Sequence, residues 1–224
     1  MTAQEWEELP LPKNCEELGI LVLDGSGSMN DPEKATGRQK AAVVEDQITN
    51  LKDGLIQRLR KSTRAHEISL AIVTFDHRVK VLLNPTPVLR LDPASVKLDL
   101  LRRHGGSTAI GDALRTAGII AEQFLAQEEE DIPRYVTILL MSDGQNNSGE
   151  DPLTVANAIK GRARDKAGRP EIVIATAAYG DDADEETLRQ IATQIPEQPD
   201  KFFAKVQTGE QLRQFFIASM VSIG

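Results

Sequence analysis

Short runs of apolar residues alternate along this chain with longer amphipathic stretches, and this alternation is the strongest constraint on its fold. Six runs have the length of strands: GILVLD (19–24), EISLAIVTFD (67–76), VKVLLN (79–84), YVTILLMSDG (135–144), EIVIATAAYG (171–180) and KFFAKV (201–206). Runs that are apolar throughout are typical of strands buried on both faces. Strands that alternate with helices predict an α/β fold, with a doubly wound, mainly parallel, six-stranded sheet and helices on both faces.

The stretches between these runs have helical spacing. In residues 38–60, apolar side chains recur every three or four positions, which places them on one face of a helix. An acid followed by proline, as at Asp151-Pro152, is typical of a helix start. We expect helices over 38–60, briefly after Asp92-Pro93, over 110–124, from Asp151-Pro152 to about 167, over 181–192 and in the tail from Gly209.

The segment between the second and third runs is very short. Only Asp76-His77-Arg78 separates them, whereas a parallel crossover needs about a dozen residues. The two runs are therefore expected to form an antiparallel hairpin, which makes the third run an antiparallel strand at the edge of the sheet. Asp76 is interpreted as a residue of the turn.

Length and charge limit the classes of protein to which the chain can belong. Its 224 residues suit one α/β domain, and we expect an N-terminal extension over 1–16 and a single domain over 17–224. The formal net charge of −8 argues against nucleic acid or an anionic membrane as the main partner. The N-terminus lacks a cationic start followed by an apolar run, and Cys15 is the single cysteine. A cytoplasmic protein is the expectation.

In the segment LVLDGSGSMN (21–30), an apolar run typical of a buried strand is followed directly by an aspartate and then by two serines. Extended backbone sends alternate residues to the same side, so Asp24, Ser26 and Ser28 are expected to point at one place. Asp143 ends another apolar run, and the carboxyl ends of parallel strands meet at one edge of a sheet. Thr108, in the glycine-rich HGGST loop, offers a fifth oxygen.

These five side chains offer only hard oxygen donors, which suit Mg²⁺, or alternatively Mn²⁺ or Ca²⁺, better than Zn²⁺. Hydroxyls are neutral ligands. If one acid binds through water, the ion stays electron-poor and favours an anionic ligand from outside. The simplest such ligand is a carboxylate of a partner protein, which predicts binding rather than catalysis.

The motifs DGSGS, GGSTAIGDAL and LLMSDG occur in this order at the ends of predicted strands or in the loop between them. Together they resemble the von Willebrand factor A domain, over the chain from about residue 17 to its end. The resemblance implies a Rossmann-like fold and a metal-ion-dependent adhesion site. It implies that Ser26, Ser28 and Thr108 contact the metal and that Asp24 and Asp143 act directly or through water.

The short N-terminus and the hairpin IVTFDHRVKVLLN (72–84) resemble bacterial cytoplasmic members of the family, of the tellurite-resistance-associated type. This resemblance implies an adaptor in a bacterial stress, signalling or assembly complex. Its partner would be a kinase- or phosphatase-like protein that supplies an Asp or Glu to the metal.

Two alternatives remain open for the function. One is a metal-dependent phosphohydrolase with Asp24 as nucleophile, although haloacid-dehalogenase-like enzymes need a second Asp where this chain has Ser26. The other is a structural subunit with an unused metal site.

Other polar segments have structural interpretations. The acidic run 127–131 is expected to be a solvated loop, and the acids of 181–186 are expected at a helix start. Asn146, Asn147 and Ser148 are expected to shape a loop. Thr108 is alternatively a helix cap, since its hydroxyl precedes a helical run.

Overall fold

The computed structural model describes residues 15–61, 67–92, 98, 100, 106–127, 132–162, 168 and 170–220. Its strands are β1 (Glu16–Asp24), β2 (Glu67–Phe75), β3 (Val79–Pro87), β4 (Arg134–Ser142), β5 (Ile172–Tyr179) and β6 (Phe203–Val206). Its helices are α1 (Lys40–Lys61), α2 (Ile110–Leu125), α3 (Pro152–Lys160), α4 (Glu185–Ile191) and α5 (Gly209–Met220), with short 3₁₀ turns at Gly27–Asn30 and Val88–Arg90. Each of the six predicted strands is present.

The six strands form one sheet in the order β3-β2-β1-β4-β5-β6. All neighbouring pairs are parallel except β2 and β3, which are antiparallel. Helices α1 and α5 pack together over one side, and α2, α3 and α4 pack in a row over the other. This arrangement confirms the predicted α/β fold, its antiparallel edge strand and its helices on both faces.

Burial explains the apolar runs. Every residue of β4 and β5 is buried, and so is every residue but the first of β1 and β2, because these strands carry helices on both faces. The edge strand β3, by contrast, is mostly exposed or half-buried. Its turn is closed by the Arg78 N–H, which donates to Asp76 Oδ1 at 2.7 Å, as the structural interpretation of Asp76 predicted.

The start of α3 agrees with the prediction from the sequence, whereas its end does not. The Asp151 carboxylate accepts the Thr154 N–H at 2.8 Å at the start of α3, which confirms the predicted start there. The predicted end near residue 167 is wrong, because α3 ends at Lys160 and a turn follows from Gly161. Glycine loses more conformational entropy in a helix than any other residue, which favours the stop.

Some predictions fall outside the described residues. They include the short helix after Asp92-Pro93, the acidic run up to residue 131, and most of the extension over 1–16. β1 begins at Glu16, one residue before the predicted start of the domain at residue 17. The boundary between extension and domain stays a prediction. In the part of the chain that the structure describes, none of the helices is long and apolar enough to cross a membrane.

The chain order reverses between β1 and β4. From β1 the chain proceeds outward through β2 to β3, whereas from β4 it proceeds in the opposite direction through β5 to β6. In open α/β sheets, ligands bind beyond the carboxyl ends of the strands at such a point. The register pairs Leu23 with Met141, so Asp24 lies level with Ser142 at this edge, next to Asp143.

Candidate metal site

Asp24 is a fully buried carboxylate with both oxygens engaged. Its Oδ2 accepts the hydroxyl of Ser142 at 2.5 Å, and its Oδ1 accepts the backbone N–H of Ser26 at 2.8 Å. The second bond links the carboxylate to the first residues of the loop directly after β1. The carboxylate is therefore fixed between the ends of β1 and β4.

The hydroxyls of Ser26 and Ser28 lie 3.2 Å apart, and Ser28 donates to Asp143 Oδ1 at 2.7 Å. Neighbouring ligands of an octahedral Mg²⁺ are about 3 Å apart, since each metal–oxygen bond is about 2.1 Å. These separations are close to those of a coordination shell.

Thr108 reaches the same place from another loop. A Cβ atom built on Gly144 would lie 3.8 Å from both Ser28 Oγ and Thr108 Oγ1. The two hydroxyl oxygens therefore lie near the same point beside Gly144, where a side chain would be in contact with both. The structure thus brings the predicted side chains together from three loops.

The pKa of Asp24 reflects this crowding. Burial raises it, the negative charge of Asp143 raises it further, and hydrogen bonds from Ser142 and Ser26 oppose the shift. The result is a pKa of about 6 in the metal-free protein. The repulsion between Asp24 and Asp143 is the kind that a dication relieves.

Lys40 is a member of the site that the sequence analysis missed. Its ammonium donates to Asp143 Oδ2 at 2.7 Å, and its side chain is 8% exposed. One carboxylate oxygen of Asp143 therefore accepts the Ser28 hydroxyl, and the other accepts the Lys40 ammonium. Nothing in the sequence singles out Lys40, because a lysine at the start of a helix ordinarily extends into solvent.

Two asparagines hold the Thr108 loop. Asn147 Oδ1 accepts the Thr108 N–H at 2.7 Å, and the Asn147 N–H donates to the Thr108 carbonyl at 3.1 Å. Asn146 Oδ1 accepts the Ile110 N–H at 2.8 Å, in the first turn of α2. Because α2 begins after Ala109, the alternative interpretation of Thr108 as the helix cap is wrong.

The donor set fits a hard divalent cation. It contains two carboxylates and three hydroxyls, whereas the described residues contain no group of three or more His, Cys, Asp or Glu side chains able to hold a metal. Mg²⁺, Mn²⁺ and Ca²⁺ prefer such oxygen ligands.

A sequence model of the von Willebrand factor type A domain matches residues 20–217. An uncharacterised protein of Synechocystis sp. (strain ATCC 27184 / PCC 6803 / Kazusa), sll0103, is 29% identical over 177 residues. The match covers 77% of this chain and 34% of that protein, so the chain spans about a third of the length of this relative.

Two similar solved structures share the fold. A von Willebrand factor type A protein from Catenulispora acidiphila has a TM-score of 0.63 at 21% identity, with 94% of this chain and 43% of that chain covered. Proximal thread matrix protein 1 from the mussel byssus, with a zinc-occupied metal-ion-dependent adhesion site, has a TM-score of 0.59 at 20% identity. There 93% of this chain and 45% of that chain are covered.

Proposed function

Because the chain belongs to the von Willebrand factor type A family, we propose that it is a metal-dependent protein-interaction module whose cation lies beside Gly144. The proposed ligands, direct or through water, are Asp24, Ser26, Ser28, Thr108 and Asp143. Mg²⁺ is the proposed cation, and Mn²⁺ or Ca²⁺ would satisfy the same oxygen ligands.

One observation carries the proposal: hydroxyls from two loops and a carboxylate from a third surround the same small space. Ser28 is the link, since its hydroxyl contacts Ser26 and Asp143 and lies near Gly144 together with Thr108. Two carboxylates balance a dication only formally, and hydroxyls add no charge. If one acid binds through water, the ion stays electron-poor, and an Asp or Glu of a partner would complete the shell. Ser28 is half-buried and Gly27 is exposed, so an acidic side chain of a partner can approach the proposed cation from solvent beside this loop.

The position of Asp24 disfavours the phosphohydrolase alternative. A nucleophilic carboxylate needs an oxygen that can reach a phosphoester, whereas Asp24 has no exposed surface and both of its oxygens accept hydrogen bonds. Its contacts suit the support of a metal site better than attack on a substrate.

The test is affinity capture with the Asp24→Ala variant. Wild type should retain an acidic partner in Mg²⁺ and lose it in excess chelator, and Asp24→Ala should fail in both conditions because it lacks one of the two carboxylates. Asp53→Ala, which removes an exposed carboxylate on α1, is the matched control and should behave as wild type. Capture that survives both the chelator and the Asp24→Ala substitution would contradict the proposal.

The finer part of the proposal concerns the setting. We assign the module to the bacterial cytoplasm, as an adaptor in a stress, signalling or assembly complex with a kinase- or phosphatase-like partner. Support comes from the resemblance of the hairpin over 72–84 to members of that type. Cell fractionation, together with identification of the Mg²⁺-dependent partner by mass spectrometry, tests it.

The alternative of a structural subunit with an unused site makes an opposite prediction. Calorimetric titration of wild type with Mg²⁺, Mn²⁺ and Ca²⁺ would then show no binding.

A further inference from the structure

Lys40 occupies a position that is unfavourable for a cation on two counts. It is the first residue of α1, where the helix dipole is positive, and its buried side chain is removed from water, which costs free energy unless the charge is paired. The ion pair with Asp143, at 2.7 Å, offsets both effects. The position of Lys40 therefore indicates that its charge has a role beside Asp143.

The fold leaves room for this side chain. Gly180 follows β5 with a φ of +88°, and a Cβ atom built there would lie 3.5 Å from both Cε and Nζ of Lys40. The lysine therefore passes over the end of β5 to reach Asp143. The positive φ at Gly180 favours glycine there, and an added Cβ would be in ordinary van der Waals contact with the lysine side chain.

The charge of Lys40 changes the balance of the site. The carboxylates of Asp24 and Asp143 with the Lys40 ammonium sum to −1 when all are ionised, and a divalent cation raises the sum to +1. Without the lysine the same sums would be −2 and 0. With the divalent cation bound, the net charge of these groups is therefore positive because of Lys40, whereas without the lysine it would be zero.

We propose that Lys40 is a specificity-determining residue of this site, whose charge weakens binding of the cation alone and makes the loaded site attract one further negative charge. The inference rests on the proposed function. Cation and anionic ligand then bind cooperatively, because each supplies the charge that the other needs, and the coupling is reciprocal. The ligand class is a carboxylate, as on an Asp or Glu side chain.

The experiment measures binding of Mn²⁺ by titration calorimetry, with and without acetate at constant ionic strength. Lys40→Met removes the charge and keeps the length of the side chain. It should bind Mn²⁺ about tenfold more tightly or better than wild type, and acetate should enhance that binding less. Lys40→Arg keeps the charge and should stay nearer to wild type, and Lys80→Met, on the exposed edge strand, controls for loss of a surface lysine.

Thermal unfolding supplies a second measurement, since Lys40→Met leaves Asp143 buried without its cation and is expected to weaken the metal-free fold. Its melting temperature should then rise more on addition of Mn²⁺ than that of wild type. Equal Mn²⁺ affinity in wild type and Lys40→Met would overturn the role of Lys40 and leave the proposed function standing. A shift in Lys40→Arg as large as in Lys40→Met would overturn it too. Absence of Mn²⁺ binding both in wild type with acetate and in Lys40→Met would overturn both.

Discussion

At the residue scale, Asp24 is a carboxylate for which a proton and the proposed cation would compete. Burial and the charge of Asp143 raise its pKa from 3.8 to about 6, so the carboxyl group is mostly protonated below about pH 6 and mostly ionised at neutral pH. Because this folded pKa lies above the unfolded one, the group favours the metal-free fold most at low pH. That contribution is lost as pH rises through about 6. Cation binding has the opposite dependence, because a ligand must be deprotonated.

We therefore expect affinity for Mn²⁺ to weaken by about tenfold for each unit of pH below about 6 and to level off above about 7. The measurement is titration calorimetry between about pH 5 and about pH 8. An affinity that stays constant over that interval would show that the proton and the cation do not compete for the Asp24 carboxylate.

At the element scale, the start of α2 and the loop after β4 are locked together. A Cβ atom built on Gly111 would lie 2.1 Å from the Glu150 carbonyl oxygen, so only glycine allows this approach. The Glu150 N–H donates to Asp112 Oδ1 at 2.8 Å, beside Gly149 with a φ of +75°. With the two asparagine contacts, this packing sets where Thr108 lies relative to Asp143.

Gly111→Ala should force the two segments apart. We expect a loss of about 1–3 kcal/mol in the free energy of unfolding, since overpacking a close contact has effects of that size, and weaker cation binding because Thr108 moves. Urea denaturation and calorimetry measure the two effects. The matched control is Gly106→Ala, where an added Cβ meets no heavy atom within 4 Å among the described residues. Equal stability of the two variants would contradict the argument.

At the scale of the whole molecule, one buried carboxylate, Glu33, connects the loop after β1 to two segments that are distant in sequence. Glu33 Oε1 accepts the Tyr179 hydroxyl at 2.6 Å and the Gly209 N–H at 3.0 Å. Its Oε2 accepts the Thr36 hydroxyl at 2.7 Å. Burial, with the hydrogen bond to Glu33, raises the pKa of Tyr179 well above its ordinary value, so the phenol remains a donor. The loop after β1 is therefore anchored to the end of β5 and the start of α5.

The proposed cation site would exist only in the folded chain, since Ser28 and Asp143 are separated by 115 positions. Mg²⁺ at about 100 times its Kd should therefore stabilise the fold by about 2.7 kcal/mol and raise the melting temperature by about 5–10 °C. Differential scanning calorimetry with Mg²⁺ and with chelator measures the rise. Asp24→Ala should show none. A similar rise in that variant would place the stabilising ion elsewhere.

The sequence by itself determined the elements and much of the layout of the site. Continuous apolar runs indicated strands buried on both faces, and the three residues of the turn at Asp76 required the antiparallel hairpin. The position of Asp143 at a strand end indicated an oxygen beside the end of β1, and this inference succeeded because it depends on the geometry of parallel strands. The alternation in DGSGS assumed an extended loop, whereas Gly27–Asn30 form a 3₁₀ turn, so the contact between the hydroxyls of Ser26 and Ser28 arises from that turn instead.

Only the tertiary structure decided which partners complete the site. Lys40 reaches Asp143 across 103 positions, and Ser142 reaches Asp24 across 118. Asn147 holds Thr108 across 39 positions. No local pattern marks such contacts, because they depend on how the loops pack beyond the strand ends. That packing decides the charge at this edge of the sheet, because it brings Lys40 to Asp143.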